Sequence, residues 1–203
     1  MIAIIDYGVG NLFSLRSSFD ALGIEARITS DPEVIRNSDK IVLPGVGAFR
    51  DAINKLNATG LSELVVSESR NGKPLLGICL GMQLLLDKSY EFGEYEGLGL
   101  VPGEVRPISE VISEDLKIPQ MGWNALHFTN KSPIFENSRE GDYVYFVHSY
   151  YCKSPAEYIT AVTEYDAELT ASVQNGNVFG CQFHPEKSGP VGLRILKAFD
   201  SIR

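Results

Sequence analysis

One cysteine stands where a nucleophile would stand. In Lys73-Pro74-Leu75-Leu76-Gly77-Ile78-Cys79-Leu80-Gly81-Met82-Gln83 an apolar, strand-like run passes through Gly-x-Cys-x-Gly into a helical pattern. This is the layout of a nucleophile elbow with sulfur in the serine position. Glycines on both sides would let the backbone turn sharply and set the side chain at a helix N-terminus, where partial positive charge favours thiolate over thiol. Taken alone, the pattern also fits a buried cysteine in a glycine-packed turn, so a base elsewhere has to decide. The chain has 3 histidines, His127, His148 and His184, and His184 comes with a carboxylate partner. In Gln182-Phe183-His184-Pro185-Glu186 an extended backbone would project His184 and Glu186 to the same side. A carboxylate on one imidazole nitrogen fixes the tautomer and leaves the other nitrogen to face a nucleophile. A free thiol titrates at about 8.5 and is only slightly ionised at neutral pH, so an adjacent imidazole multiplies the reactive form. Cys79, His184 and Glu186 are the expected catalytic triad.

Acyl transfer also needs N–H donors aimed at the developing oxyanion, each worth roughly 3 kcal/mol of barrier. The N–H of Leu80, just after the nucleophile, is one candidate. A second is expected from the glycine-rich turn Leu43-Pro44-Gly45-Val46-Gly47-Ala48-Phe49, a pattern that taken alone also fits a tight strand-to-helix turn. Other motif readings fail on spacing. A dinucleotide fingerprint would need a third glycine where Phe13 or Arg50 stands, and no phosphate-loop lysine follows either turn. Cys181 and His184 lack the second close Cys or His pair that a zinc site requires. Neither a metal nor an organic cofactor is expected.

The elements that must position these groups alternate through the first half. Ile2 to Ile5 reads as a buried strand, and Leu12, Leu15, Phe19 and Leu22 recur at helical spacing until Gly23. The unit repeats with a strand over 25–29, a short helix after Ser30-Asp31-Pro32, and a strand over 40–43. A helix from about 48 to 70, interrupted at Gly60, follows, then a strand over 74–78 and a helix over 80–87. Such alternation predicts a parallel sheet with helices on both faces, with ligands bound outside the carboxyl ends of the strands, where Gly8, Gly45 and Cys79 fall. Strand-like segments at 103–107, 142–151, 159–163, 171–174 and 178–183, with turn signals at Glu140-Gly141 and Asn175-Gly176, predict an antiparallel second half. A last amphipathic helix starts near Pro190. A length of 203 residues with 44% hydrophobic content predicts a single domain over 1–203. The net charge of -8, with no basic run, argues against a nucleic-acid or anionic-membrane surface. Met1-Ile2-Ala3-Ile4-Ile5-Asp6 lacks a signal-peptide pattern, no apolar run approaches about 20 residues, and the 3 cysteines form no pairs. These features predict a cytoplasmic protein with reduced thiols.

With those residues in place, the chain resembles the class I, triad-type glutamine amidotransferases. Within them it is similar to the glutaminase subunits of imidazole glycerol phosphate synthase. The elbow and His-x-Glu carry the class resemblance. Asp6-Tyr7-Gly8-Val9-Gly10-Asn11-Leu12, Met121-Gly122-Trp123-Asn124 and Tyr145-Phe146-Val147-His148-Ser149-Tyr150-Tyr151 carry the narrower one. The resemblance implies a flavodoxin-like three-layer α/β/α domain that hydrolyses L-glutamine to glutamate and ammonia through a cysteinyl thioester. It implies that Gln83 binds the glutamine, with the backbone around Gly47 and His148, Ser149 and Tyr150 completing the pocket. It also implies a heterodimer with a (βα)8-barrel cyclase subunit, which uses the ammonia to make imidazole glycerol phosphate and an aminoimidazole carboxamide ribonucleotide. Asn11, Trp123, Asn124 and Lys187 are the expected docking residues, Trp123 because Gly122 and Asn124 flank it with turn chemistry. Ser188-Gly189-Pro190 departs from the family pattern, in which a polar residue often follows the serine. A glutaminase of another pathway and a non-catalytic interaction protein on the same fold are the competing readings.

Overall fold

The computed structural model describes residues 1–203. Its first half is the predicted alternation. β1 (Ile2–Ile5), α1 (Leu12–Ala21), β2 (Ala26–Thr29), α2 (Pro32–Arg36) and β3 (Lys40–Gly45) come first, followed by α3 (Phe49–Ala58), α4 (Leu61–Arg70) and β4 (Leu75–Cys79). The predicted interruption at Gly60 separates α3 from α4. Gly60 takes φ 71°, a left-handed conformation that starts a second helix in a new direction. In α2, Asp31 caps the first turn by accepting from the Glu33 N–H, and Pro32 needs no partner at that position.

The helix after Cys79 is shorter than its pattern predicts. α5 spans Leu80–Leu84, and β5 (Leu86–Ser89) takes over where helix was expected. Tertiary bonds compete successfully for its last carbonyls: Leu98 N–H donates to Leu84 O at 2.8 Å and Leu100 N–H to Leu85 O at 2.9 Å. β5 then pairs with β6 (Tyr95–Glu96) and runs parallel to β7 (Val101–Pro107).

The second half holds β8 (Gln120–Ala125), β9 (His127–Phe128), β10 (Tyr143–His148), β11 (Tyr150–Lys153), β12 (Ile159–Tyr165), β13 (Ala167–Asn175), β14 (Val178–Cys181) and α6 (Gly189–Ser201). The large sheet has the order β2-β1-β3-β4-β14-β13-β12-β9. Its first five strands are parallel and its last three neighbours pair antiparallel, as the sequence predicts. Two smaller sheets were not foreseen, one with the order β11-β7-β5-β6 and one made of β10 and β8. The single strand expected over 142–151 is cut at Ser149, because β10 pairs with β8 while β11 pairs with β7. Met121-Gly122-Trp123-Asn124, expected as a turn, lies inside β8.

Strand alternation sorts the core into two layers. Ala3, Ile5, Ile41, Leu43 and Leu75 face Phe49, Leu56, Leu61 and Val65 of α3 and α4. Ile2, Ile4, Val42, Leu76 and Ile78 face Leu15 and Phe19 of α1 and Ile195, Leu196 and Phe199 of α6. Helices thus cover both faces of the sheet, the three-layer arrangement expected. No helix is long and apolar enough to cross a membrane.

Candidate active site

Three neighbouring strands end at one place. In register, Gly45 closes β3 beside Cys79 at the end of β4, and Cys181 at the end of β14 lies beside Ile78. His184, three residues beyond β14, therefore arrives next to the sulfur. The carboxyl ends of parallel strands are where backbone leaves the sheet and loops can gather around a ligand.

Cys79 itself carries the strain of the elbow, with φ 55° and ψ −112°. A non-glycine residue in that region costs about 1–3 kcal/mol and persists where surrounding structure enforces it. The flanking glycines act differently from the expectation. Neither Gly77 nor Gly81 takes positive φ; both allow close approach. A Cβ on Gly81 would stand 1.9 Å from Leu43 O, and one on Gly77 would stand 2.7 Å from Gly81 O. The spacing Gly-x-Cys-x-Gly lets α5 press directly on β3 and β4, and that contact forces the cysteine into its turn.

His184 and Glu186 meet through a turn instead of an extended strand. Pro185–Lys187 forms a 3-10 helix, for which proline's fixed φ is suited at the first position. Lys187 N–H donates to His184 O at 3.0 Å. The segment is pinned to β10 from both sides: His184 N–H donates to Tyr145 O at 2.9 Å, and Tyr145 N–H donates to Ser188 Oγ at 3.0 Å. The Glu186 carboxylate accepts from His184 Nδ1 at 2.9 Å, with both side chains 3% exposed. Burial alone would lower the affinity of the ring for a proton. Hydrogen bonds with Cys79 and Glu186, reinforced by their negative charge, outweigh it and lift the His184 pKa to about 9. The imidazole is thus a cation at neutral pH, on the cleft that it shares with the Cys79 sulfur. Burial pushes the thiols of Cys152 and Cys181 up, which leaves both unreactive.

A cleft of about 450 Å³ opens onto Cys79 and His184, within the size range of small-molecule sites. Gly47, Leu80, Gln83, His148, Ser149 and Tyr150, the expected pocket residues, line it, and so does Lys187, which was expected at the docking face. A larger depression of about 660 Å³ around Phe128 to Ser138 contains no cysteine or histidine and lies apart from this chemistry. His148 is buried, and its Nδ1 lies 2.8 Å from Tyr150 O. A carbonyl only accepts, so that nitrogen carries the proton and Nε2 is a lone pair. Burial, helped by the charge of His184 and opposed by the Tyr150 carbonyl, pushes the His148 pKa down to about 4. His148 is a neutral acceptor beside a cationic His184.

The expected docking residues fall outside or at the rim. Trp123 is 51% exposed, not a core residue, and stacks edge-on against Tyr145 with ring centroids 6.0 Å apart. Lys187 Nζ sits 5.7 Å from the centroid of the same ring. Asn124 turns to the other face of β8 and donates to Glu164 O at 3.1 Å. Asn11 precedes α1 without a side-chain cap bond and borders a narrow crevice behind His184 and Glu186.

Sequence reasoning missed Glu91, Phe92 and Gln182. Glu91 faces the cleft and accepts from the Phe49 N–H at the start of α3 at 2.5 Å. Burial raises the pKa of its carboxyl, an effect the Phe49 N–H opposes. Phe92 is 83% exposed and meets Tyr150 edge-on at the cleft. Gln182 is fully buried, with Nε2 3.6 Å from the Cys79 sulfur. Glu91 and Phe92 had no recognisable pattern, whereas Gln182, two residues before His184, could have been placed on the same face by strand alternation. No group of three or more His, Cys, Asp or Glu side chains gathers as a metal site.

A family model described as glutamine amidotransferase class-I matches residues 3–200. The chain belongs to this family. Within the class-I glutamine amidotransferases it is 48% identical to the imidazole glycerol phosphate synthase subunit HisH of Syntrophotalea carbinolica, over 100% of both chains. It is 50% identical to the subunit of the same name from Caldanaerobacter subterraneus subsp. tengcongensis, over 100% of this chain and 98% of the relative. A crystal structure of a glutamine amidotransferase shares the fold with TM-score 0.76 at 18% identity, covering 98% of this chain and 100% of that one. The structure of PurLQS from Thermotoga maritima does so with TM-score 0.75 at 19% identity, covering 98% and 96%.

Proposed function

We propose that this chain hydrolyses L-glutamine to L-glutamate and ammonia through a thioester on Cys79. It supplies the ammonia to a cyclase subunit that makes imidazole glycerol phosphate and an aminoimidazole carboxamide ribonucleotide in histidine biosynthesis. The carrying observation is the buried Glu186–His184 pair, 2.9 Å apart, whose ring lines one cleft with a strained nucleophile at a strand end. Full-length likeness to HisH subunits supports the pathway.

In this reading the Cys79 thiolate attacks the side-chain amide carbon, and the oxygen takes the negative charge beside the Leu80 N–H and the backbone at Gly47. The His184 imidazolium gives its proton to the amide nitrogen, the C–N bond breaks and ammonia leaves. Neutral His184 then takes a proton from water, whose oxygen attacks the thioester and restores the thiolate. Glu186 keeps the proton on Nδ1 and the reacting face on Nε2 throughout. The α-ammonium of glutamine is assigned to the Glu91 carboxylate and Gln83 Oε1, with His148, Ser149 and Tyr150 forming the opposite wall.

Residues 1–203 act as one cytoplasmic domain, without cofactor, metal, nucleic acid or membrane. Its partner is a (βα)8-barrel cyclase, docked over Asn11, Trp123, Asn124 and Lys187, so that ammonia passes between subunits before water can protonate it. Cys79→Ala tests the assignment in the complex with the cyclase: glutamine-dependent synthesis is lost while synthesis from added ammonium persists. Retained glutamine use would sink it.

A further inference from the structure

Gln182 is fully buried, and its amide lies between two groups of the site. Its Nε2 stands 3.6 Å from the Cys79 sulfur, and its Oε1 accepts from Gln83 Nε2 at 3.0 Å. Gln83 Nε2 also donates to Tyr150 O at 3.0 Å. The order of these contacts fixes which end of each amide faces where. A backbone carbonyl only accepts, so Gln83 must present its NH2 group to Tyr150. That same NH2 group meets Gln182, so Gln182 must answer with its oxygen and turn its own NH2 group to the sulfur. The opposite orientation would set donor against donor at Gln83 and oxygen against sulfur at Cys79. The Tyr150 carbonyl that orders this relay also accepts from His148, so one carbonyl at the start of β11 keys the polar side chains on this side of the nucleophile.

We propose that Gln182 is a catalytic residue of the thiol chemistry assigned above, its carboxamide N–H donating to the Cys79 sulfur and holding it as an anion facing His184. The inference rests on Cys79 being the nucleophile. Cys79 is 7% exposed and meets solvent only through the cleft, so water solvates a charge there poorly and the largely buried anion needs fixed donors. His184 is one donor, but it surrenders its proton to the departing ammonia. The amide N–H of Gln182 never transfers. It is present before attack and again when sulfur leaves the thioester, the two moments at which sulfur carries charge. Donor–sulfur contacts are longer than those to oxygen, and hydrogen bonds to an ionised partner are stronger than neutral ones.

The test measures alkylation of Cys79 by iodoacetamide against pH in the full-length chain, followed on the Cys79 peptide by mass spectrometry. Gln182→Leu removes the donor, and the near-isosteric Gln182→Glu keeps an oxygen for Gln83 while placing a carboxylate beside the sulfur. Both variants are expected to move the alkylation midpoint upward by about one pH unit and slow the reaction at pH 7 about tenfold, with Glu the larger. Gln83→Leu, which frees Gln182 to rotate, is expected to produce a smaller shift of the same sign. Unchanged midpoints in folded Gln182→Glu overturn the proposal even if Gln182→Leu does not fold. Alkylation requires no glutamine, so failure of the parent chain to hydrolyse glutamine with its cyclase would refute the glutaminase reading and leave this result standing.

Discussion

Gly81→Ala is the sharpest probe of how the elbow is made. The new Cβ would stand 1.9 Å from Leu43 O, 2.9 Å from Leu43 C and 3.3 Å from Pro44 C. An ordinary carbon–oxygen contact is about 3.3 Å, so α5 and β3 must separate by more than about 1 Å. Both sides of the clash are backbone in a buried layer, and no side chain can rotate away. Overpacking of this kind costs about 1–3 kcal/mol, and the rigid partners place Gly81→Ala at about 3 kcal/mol. In a chain of this size each kcal/mol lowers Tm by about 2–4 °C, which predicts a fall of about 6–12 °C in calorimetry. The same displacement carries Leu80 N–H and Cys79 away from His184, and misplacement by 1 Å costs about 100-fold in rate, read as glutaminase activity with the cyclase present. Gly176→Ala is the control: φ is 58° with nothing within 4 Å of the new Cβ, so only the left-handed penalty of about 1–2 kcal/mol applies and activity stays intact. If Gly81→Ala melts within about 2 °C of the parent and keeps its activity, close approach is not what builds the turn.

Three further outcomes are expected. His184, with a pKa near 9, holds its proton at neutral pH and loses it above that value, so glutaminase activity should decline on an alkaline limb near pH 9; Glu186→Gln removes a charge that stabilises the cation, so the limb should move to lower pH, with a smaller rate loss than the roughly 10²–10⁴-fold expected for His184→Ala. An unmoved limb contradicts the role of Glu186. His148 stays neutral in the fold down to about pH 4, whereas the unfolded chain takes up that proton below about 6.5; stability is therefore full above 6.5 and lost as pH falls, by about 2 kcal/mol at pH 5. Denaturant melts of His148→Asn should lose correspondingly less between pH 7 and pH 5, and parallel losses refute the assignment. Trp123→Ala should weaken cyclase binding about 30-fold or more, the scale of an interfacial aromatic anchor, while leaving Cys79 alkylation unchanged; calorimetric titration with equal affinities would remove Trp123 from the docking face.

What the linear chain determined is local or periodic. The elbow spacing marked Cys79, the short interval to Glu186 marked the partner of His184, and alternating strand and helix patterns fixed a parallel sheet whose strand ends must hold the site. Each follows from nearest-neighbour backbone geometry or from the periods of strand and helix. Folding in three dimensions decided the rest. Only the approach of Gly81 to Leu43 O shows that the glycines serve packing while Cys79 carries the positive φ. Competition from Leu98 and Leu100 for helix carbonyls ended α5 early, and separate partners split the strand at Ser149 into β10 and β11. Glu91 and Gln182 reached the site by pairing with groups 42 and 103 residues away in sequence. Such contacts leave no periodic trace, because the chain between the partners is free to take any path that brings a donor to its acceptor.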